Sequence, residues 1–421
     1  MPDPHAVDGL DLARVQRRTV LVLALGQILG GIAFGATLSF GAVLAAEVSG
    51  DEAFAGLATA AVTFGTALFA IPLAAFARRR GRAVSLATGM TIALAGVVLV
   101  VVATSAQVFP LLLFAFALVG GGQAANLQSR FAATDLATDA TRGRSLSLVV
   151  WSTTIGAVLG PNLAGPGEAL GSVVGMPPLT GPYLFTIVGQ VLGIALYLIA
   201  LRPDPLLLAQ KITAREAETS VGVRLERLDR PVRARYAIFA IAAAHVVMVS
   251  VMAMTPVHLL HHGASLSIVG LTLSLHVAGM YALAPIFGIL ADRLGRAPTI
   301  FIGQVLLAAS LVVAAVGADS MPAVTVALVL LGAGWSATTV SGSALLTESS
   351  AERLRTRRQG FSDFAMSMVG AAGAVAAGFV LGGIGYGGLA LTALAFVIAT
   401  AALLPIAWAG RPHDVARVDA N

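Results

Sequence analysis

The feature that most constrains this chain is its rhythm of apolar runs, each about 20 residues or more, separated by short polar turns. A helix of that length matches the hydrocarbon thickness of a bilayer. Twelve such runs fall at roughly 18–46, 54–77, 83–104, 108–132, 145–167, 181–201, 235–260, 266–290, 297–317, 321–345, 360–383 and 386–409. They do not alternate apolar with polar residues, which argues against a transmembrane β-barrel. Over 421 residues the chain is 57% hydrophobic and 11% charged, with mean hydropathy +0.88. A water-soluble fold of this length cannot hide so much apolar surface. The expectation is an all-α polytopic membrane protein with twelve transmembrane helices in contact with a lipid bilayer. No cleavable signal peptide is expected, because residues 1–16 are polar and the first run is too long for an h-region.

The charges orient these spans. With the N-terminus inside, all 26 Lys and Arg residues fall on one side of the membrane. Twenty-five of them gather at Arg14/Arg17/Arg18, Arg78/Arg79/Arg80/Arg82, Arg142/Arg144, the stretch 202–235, Arg293/Arg296, Arg353/Arg355/Arg357/Arg358, and Arg411 and Arg417, and Arg130 falls at the end of the fourth run. The opposite turns carry no Lys or Arg and a few acids: Glu47, Asp51, Glu52, Glu168 and Asp319. That is the positive-inside pattern, with both termini cytoplasmic. It accounts for the net charge of +5 without a nucleic-acid partner, since the charge is spread over many loops. The chain has no cysteine, so disulfides and thiolate chemistry are excluded, and a metal site must use His, Met or oxygen.

The sequence divides six spans from six. Residues 1–201 form the first half, 202–234 a cytoplasmic linker containing one amphipathic helix, and 235–421 the second half. A shift of 213 residues superposes Pro72 on Pro285, Gly121 on Gly334, Asp135 on Glu348, Arg142 on Arg355, Arg144 on Arg357 and Trp151 on Phe364. Two parallel six-helix halves suit a carrier that rocks about a site near the membrane midplane.

The seventh and eighth spans form a hairpin with a chemical signature. The first arm carries Met248 and Met252, the second His276 and Met280, each pair one helical turn apart and so on one helix face. A fold at about residue 263 brings Met252 level with His276 and Met248 level with Met280. Three thioethers and an imidazole are soft donors that suit copper, Cu(I) above all. The plainer alternative is that the methionines fill gaps in an apolar bundle and that His276 only hydrogen-bonds within it. His245 is a candidate supporting ligand, and His258, His261 and His262 sit at the outer mouth, where they could collect copper; ordinary hydrogen bonding competes for each. Met254, Met366 and Met368 read as packing. Gln27, Asn126, Gln128, Asn162 and Gln190 are candidate cavity-lining donors or helix–helix partners.

Gly288-Ile-Leu-Ala-Asp292-Arg293-Leu-Gly295-Arg296 resembles the G-x-x-x-D-R-x-G-R loop of the major facilitator superfamily. The resemblance implies the major facilitator fold, with Gly288, Asp292, Arg293, Gly295 and Arg296 as a conformational loop. The first-half counterpart, 72–82, lacks the Asp of the usual charge latch. Gly156-Ala-Val-Leu-Gly160-Pro161-Asn-Leu-Ala-Gly165 resembles the fifth-helix signature common in antiporters of that superfamily. Within it, Met248-x3-Met252 and His276-x3-Met280, with 28 residues from Met248 to His276, resemble the CcoA-type (CalT) bacterial copper importers. That resemblance implies copper uptake across the bacterial inner membrane for assembly of cbb3-type cytochrome c oxidase, and Met248, Met252, His276 and Met280 as the copper-binding set. No prosthetic group is expected. Copper is the transported substrate, and a cytoplasmic copper acceptor is a possible partner. Low pH is expected to weaken copper binding, because the ligand is neutral imidazole.

The rival reading is a proton-coupled exporter of drugs or other small organic solutes, which the fifth-helix signature favours. Against it, no carboxylate reads as lying well inside a span, since Asp135, Asp292, Glu348 and Asp363 fall at cytoplasmic ends. An enzyme is not expected, because no nucleophile with its base, hydrolase metal cluster or phosphate loop appears. A non-transporting copper sensor would have no use for the two-fold repeat.

Overall fold

The computed structural model of the protein describes residues 6–7, 10–51, 54–219 and 229–408. The basic run at 220–228, the tail from 409 and the side chains of Gly160, Pro161 and Asn162 lie outside what is described. Apart from a two-residue antiparallel pairing of β1 (Ala6–Val7) with β2 (Leu10–Asp11), the described chain is helical. It forms two compact units, Met1–Glu226 with Glu352–Ala371, and Arg227–Ala351 with Ala372–Asn421.

The first unit contains α1 (Leu12–Ser49), α2 (Ala55–Arg80), α3 (Arg82–Ala106), α4 (Phe109–Ala132), α5 (Arg142–Asn162), α6 (Ala164–Val173), α7 (Tyr183–Ala200) and α8 (Pro205–Thr219). Asp11 caps α1 by accepting from the Arg14 amide, and Gly50 closes it in the left-handed conformation at φ 74°. α8 falls within the stretch 202–234. α4 packs between α2 and α3, while α1 packs on α5 and α7. Small residues allow this closeness. A Cβ on Gly65 would run into the carbonyl oxygen of Ala117, and one on Gly120 into that of Val62. Helices in lipid associate mainly through such tight packing. Gly65→Ala is therefore expected to destabilise the first unit by about 1–3 kcal/mol, read as a lowered midpoint of thermal unfolding in detergent.

The second unit contains α9 (Pro231–His261), α10 (Leu266–Tyr281), α11 (Ala284–Arg293), α12 (Arg296–Val316), α13 (Met321–Glu348), the later part of α14 (Glu352–Ala402) and α15 (Pro405–Trp408). α13 is its centre and packs along α12, α10 and α9. From Leu331 to Thr347 every residue of α13 is buried.

Among the described residues, nine helical segments are long and apolar enough to cross a membrane. The departures from the expected spans occur at glycine and proline. The fifth run breaks into α5 and α6 at Leu163, between Pro161 and Pro166. The eighth breaks into α10 and α11 at Ala282–Leu283, just before Pro285, which has no amide to continue the ladder. The eleventh and twelfth runs follow one another in α14 through Gly385, whose φ of 72° and ψ of −178° interrupt the helix.

Candidate functional site

Met248 and Met280 are buried and Met252 is half-buried. All three pack in one apolar cluster with Val251, Leu328, Leu331 and Trp335. The two arms do not simply face each other, as the short turn suggested. α9 and α10 meet over little of their length, and α13 packs extensively on both. Glycines bring α10 and α13 together, since a Cβ on Gly332 would meet the His276 carbonyl and one on Gly279 would lie 2.7 Å from the Val329 carbonyl.

His276 is fully buried, and its Nδ1 lies 2.7 Å from the Leu328 carbonyl oxygen on α13. A carbonyl only accepts, so Nδ1 carries the proton and donates. Nε2 is then left with its lone pair, and it has no hydrogen-bond partner among the described residues. Buried polar atoms are rarely left so. A backbone carbonyl that fixes one ring nitrogen and frees the other is how metal-binding histidines are commonly held. The carbonyl that holds His276 belongs to Leu328, a member of the cluster that holds the three methionines.

His245, His258 and His262 are more engaged. His245 Nδ1 accepts a 3.1 Å hydrogen bond from the Trp335 indole N–H, which ties that nitrogen to packing rather than to a ligand role. His258 is stacked on Tyr386 at 4.2 Å, and its Nε2 lies 2.7 Å from the Ala318 carbonyl. His262 directs Nδ1 to the His258 carbonyl at 2.9 Å and Nε2 toward Asp319 at 3.4 Å, whereas His261 is exposed. Among the described residues no three His, Asp or Glu side chains gather as a metal-holding group. A metal on the hairpin would need the thioethers.

The loop residues lie at the turn between α11 and α12. Gly295, at φ 102° and ψ 162°, separates α11 from α12. Arg296 donates to the Ala291 carbonyl and, at 2.7 Å, to Asp292, and it lies 3.5 Å from Glu348, which Arg233 also approaches at 3.7 Å. Arg293 is exposed, and Gly288 is buried within α11. The first half repeats the turn at Gly81, φ 90°. There Arg82 is fully buried and grips Asp135 with two bonds of 2.8 and 3.1 Å, and it donates a third, of 2.7 Å, to Gln359 on α14. So the latch missing from the loop sequence is made from outside it. Burial pushes the Asp135 carboxyl up from its usual range, while Arg82 beside it pulls the other way.

One carboxylate differs from the sequence reading. Asp363 does not lie at a helix end: α14 begins at Glu352, so Asp363 is about three turns in. It is fully buried, with Oδ1 2.5 Å from Arg130 Nη2 of α4. The pair joins residues 233 positions apart, which no local spacing reveals. Only the repeat contained a hint of this network, by setting Asp135 against Glu348. Among the carboxamides, Gln27 donates to Thr153 at 3.0 Å and Gln128 to the Ala70 carbonyl at 2.9 Å. Gln27 Oε1 and Gln190 Oε1 are buried without partners among the described residues.

The family model and the relatives that this membrane-embedded, helical chain matches are those of carriers rather than enzymes. The Major Facilitator Superfamily model matches residues 23–265 and 238–420, and the chain belongs to that superfamily. It is 38% identical over 366 residues to the uncharacterized MFS-type transporter YddS of Bacillus subtilis (strain 168), covering 86% of this chain and 84% of that one. It is 28% identical over 360 residues to the riboflavin transporter RfnT of Brucella anthropi, covering 84% and 86%. The crystal structure of the human organic anion transporter MFSD10 shares the fold, with a TM-score of 0.73 at 16% identity over 92% of this chain and 99% of that one. The protein is thus a transmembrane transporter with the major facilitator fold.

Proposed function

We propose that this transporter imports copper across the bacterial inner membrane by alternating access and supplies it for assembly of cbb3-type cytochrome c oxidase. The observation that carries the reading is the buried, unpartnered Nε2 of His276, held as a lone-pair donor by the Leu328 carbonyl, together with the cluster that buries Met248, Met252 and Met280. Uncharged donors bind a soft cation while leaving it labile. The distribution of arginines supports cytoplasmic N- and C-termini. Copper would then enter from the periplasmic side, exchange its carrier ligands for imidazole and thioethers, and pass to a cytoplasmic acceptor.

The test is uptake of radioactive copper by cells lacking their own importer, at matched membrane levels of the chain and of a His276→Ala/Met280→Ala variant. Uptake well above background by the intact chain, reduced at least about tenfold in the variant, is expected. Equal uptake by both would detach the hairpin from transport. No uptake by either would favour a second reading, a carrier of a neutral organic solute. That reading has its own support, in the likeness to RfnT and in the unpartnered carboxamide oxygens of Gln27 and Gln190.

A further inference from the structure

Trp335 stands where a tryptophan is costly to place. It lies at the midpoint of α13 and is 4% exposed, whereas Trp151 and Trp408 are each 38% exposed. Tryptophans of membrane proteins favour the interfaces, where the indole N–H can stay wet. Here the N–H donates to His245 Nδ1 instead, so burying one polar group has drawn in a second from α9. Tyr281 of α10 stands nearly perpendicular to the indole, at 81°, with ring centroids 5.9 Å apart. Two helices thus fix how the ring is turned. The fold itself does not require this trio. The 213-residue repeat sets Trp335, His245 and Tyr281 against Gly122, Ile32 and Leu68. At Gly122 there is no room for a side chain, since a Cβ there would lie 2.7 Å from that of Ala93. The trio belongs to the half that carries Met248, Met252, His276 and Met280.

Helix register brings the ring to those residues. His245 precedes Met248 by about one turn of α9, and Tyr281 directly follows Met280 on α10. A Cβ on Gly332, one turn before Trp335, would lie 2.9 Å from the Met280 amide nitrogen. Side chains lean toward the N-terminus of their own helix, so that of Trp335 leans back toward the level of Gly332 and Met280. Trp335, Met248 and Met280 share one buried cluster, with Met252 packed against it. We propose that Trp335 is a further contact residue of the copper site, its ring face holding a soft monovalent cation, Cu(I) or Ag(I), against the thioethers and His276. This rests on the copper reading and adds a selectivity to it. The negative face of an indole attracts a cation without supplying a formal charge. Donation of its N–H to His245 polarises the ring in the favourable sense. Imidazole, thioethers and ring are all neutral. A buried ion of charge two with no anion beside it is far harder to desolvate than one of charge one, so the set excludes Zn(II) while accepting Cu(I).

The chain has three tryptophans, so Trp151→Phe/Trp408→Phe leaves Trp335 as the sole indole emitter. This full-length protein, in detergent and without oxygen, is titrated with Cu(I), with Ag(I) and with Zn(II). Competition with a chromophoric chelator measures binding independently of the fluorescence. Ag(I) has no absorption that overlaps indole emission, so it quenches only at contact. Saturable quenching of Trp335 by Cu(I) and Ag(I), tracking the chelator-measured occupancy, is expected, with no change on adding Zn(II). Trp335→Leu should weaken binding of both monovalent ions about fivefold to thirtyfold, and Trp335→Phe by less, since a benzene ring keeps part of the attraction. If the Leu variant does not fold, the emission of the sole-tryptophan protein and the affinity of the Phe variant decide the matter. Binding of Cu(I) and Ag(I) that leaves Trp335 emission unchanged, or equal affinities with and without the indole, would overturn the proposal and leave the copper reading standing. Binding of neither ion would overturn both.

Discussion

Replacing Arg82 by leucine is expected to destabilise the protein by about 3–5 kcal/mol, the cost of leaving a buried charge without its partner. Arg82 is completely buried, and so is the Asp135 side chain it grips. In the single variant, Asp135 retains its desolvation cost and loses the bidentate bond that offset it. Gln359 loses its donor as well. The double variant Arg82→Leu/Asp135→Leu removes both charges, and most of the loss should return, because a buried ion pair is often worth little against an apolar pair of similar volume. Thermal unfolding of the purified proteins in one detergent, arranged as a double-mutant cycle, measures both quantities. Additive effects would mean that the two residues act separately and that the paired geometry is not what stabilises this end of the first unit.

The second large effect concerns the hairpin and is a binding measurement. With Cu(I) kept reduced and buffered, saturation of the purified protein should raise its unfolding free energy by about 2.7 kcal/mol at a hundredfold excess over Kd. His276→Gln should reduce copper affinity by about tenfold to a hundredfold at least, since the amide replaces the one nitrogen donor of the set. Met280→Leu keeps the volume, removes the sulfur and should weaken binding without lowering the metal-free melting temperature by more than the equivalent of about 1.5 kcal/mol. Equal stabilisation of all three proteins by copper would remove these residues from the site.

The features legible in the sequence were those carried by local pattern. Runs of membrane-spanning length identify themselves without neighbours, so the helical membrane architecture followed directly. The turn at Gly295 could be read because only a few residues tolerate that backbone, and its twin at Gly81 is marked by the same Gly-Arg ending of the first-half loop. The helix breaks at Leu163 and Ala282–Leu283 were marked by prolines, but a proline inside a long apolar run can either bend or divide it, and sequence does not choose. What remained hidden was which helix stands beside which. The short turn after His261 implied that α9 and α10 face each other, whereas α13 packs along both and supplies the carbonyl that fixes His276. The chain reaches Leu328 only 52 residues later, and no property of Leu328 as a residue signals that its carbonyl is used. Asp363 was obscured for a related reason. A lone acid near a cluster of arginines reads as a helix-end residue until its partner, 233 positions away, is known.

The two halves contain the same arginine-to-acid contact at the same point of their repeated turns, but in different dielectric surroundings. Asp135 is wholly enclosed, whereas the side chain of Glu348, its counterpart beside Arg296, is 28% exposed and more loosely held, at 3.5 Å. Mobile ions reach the second contact and not the first. At about 1 M salt the screening distance contracts to about 3 Å, enough to weaken the attraction around Glu348 while leaving Asp135 and Arg82 almost untouched. Ionic strength should therefore act as a one-sided control, loosening the second-half turn at concentrations that leave its first-half twin closed.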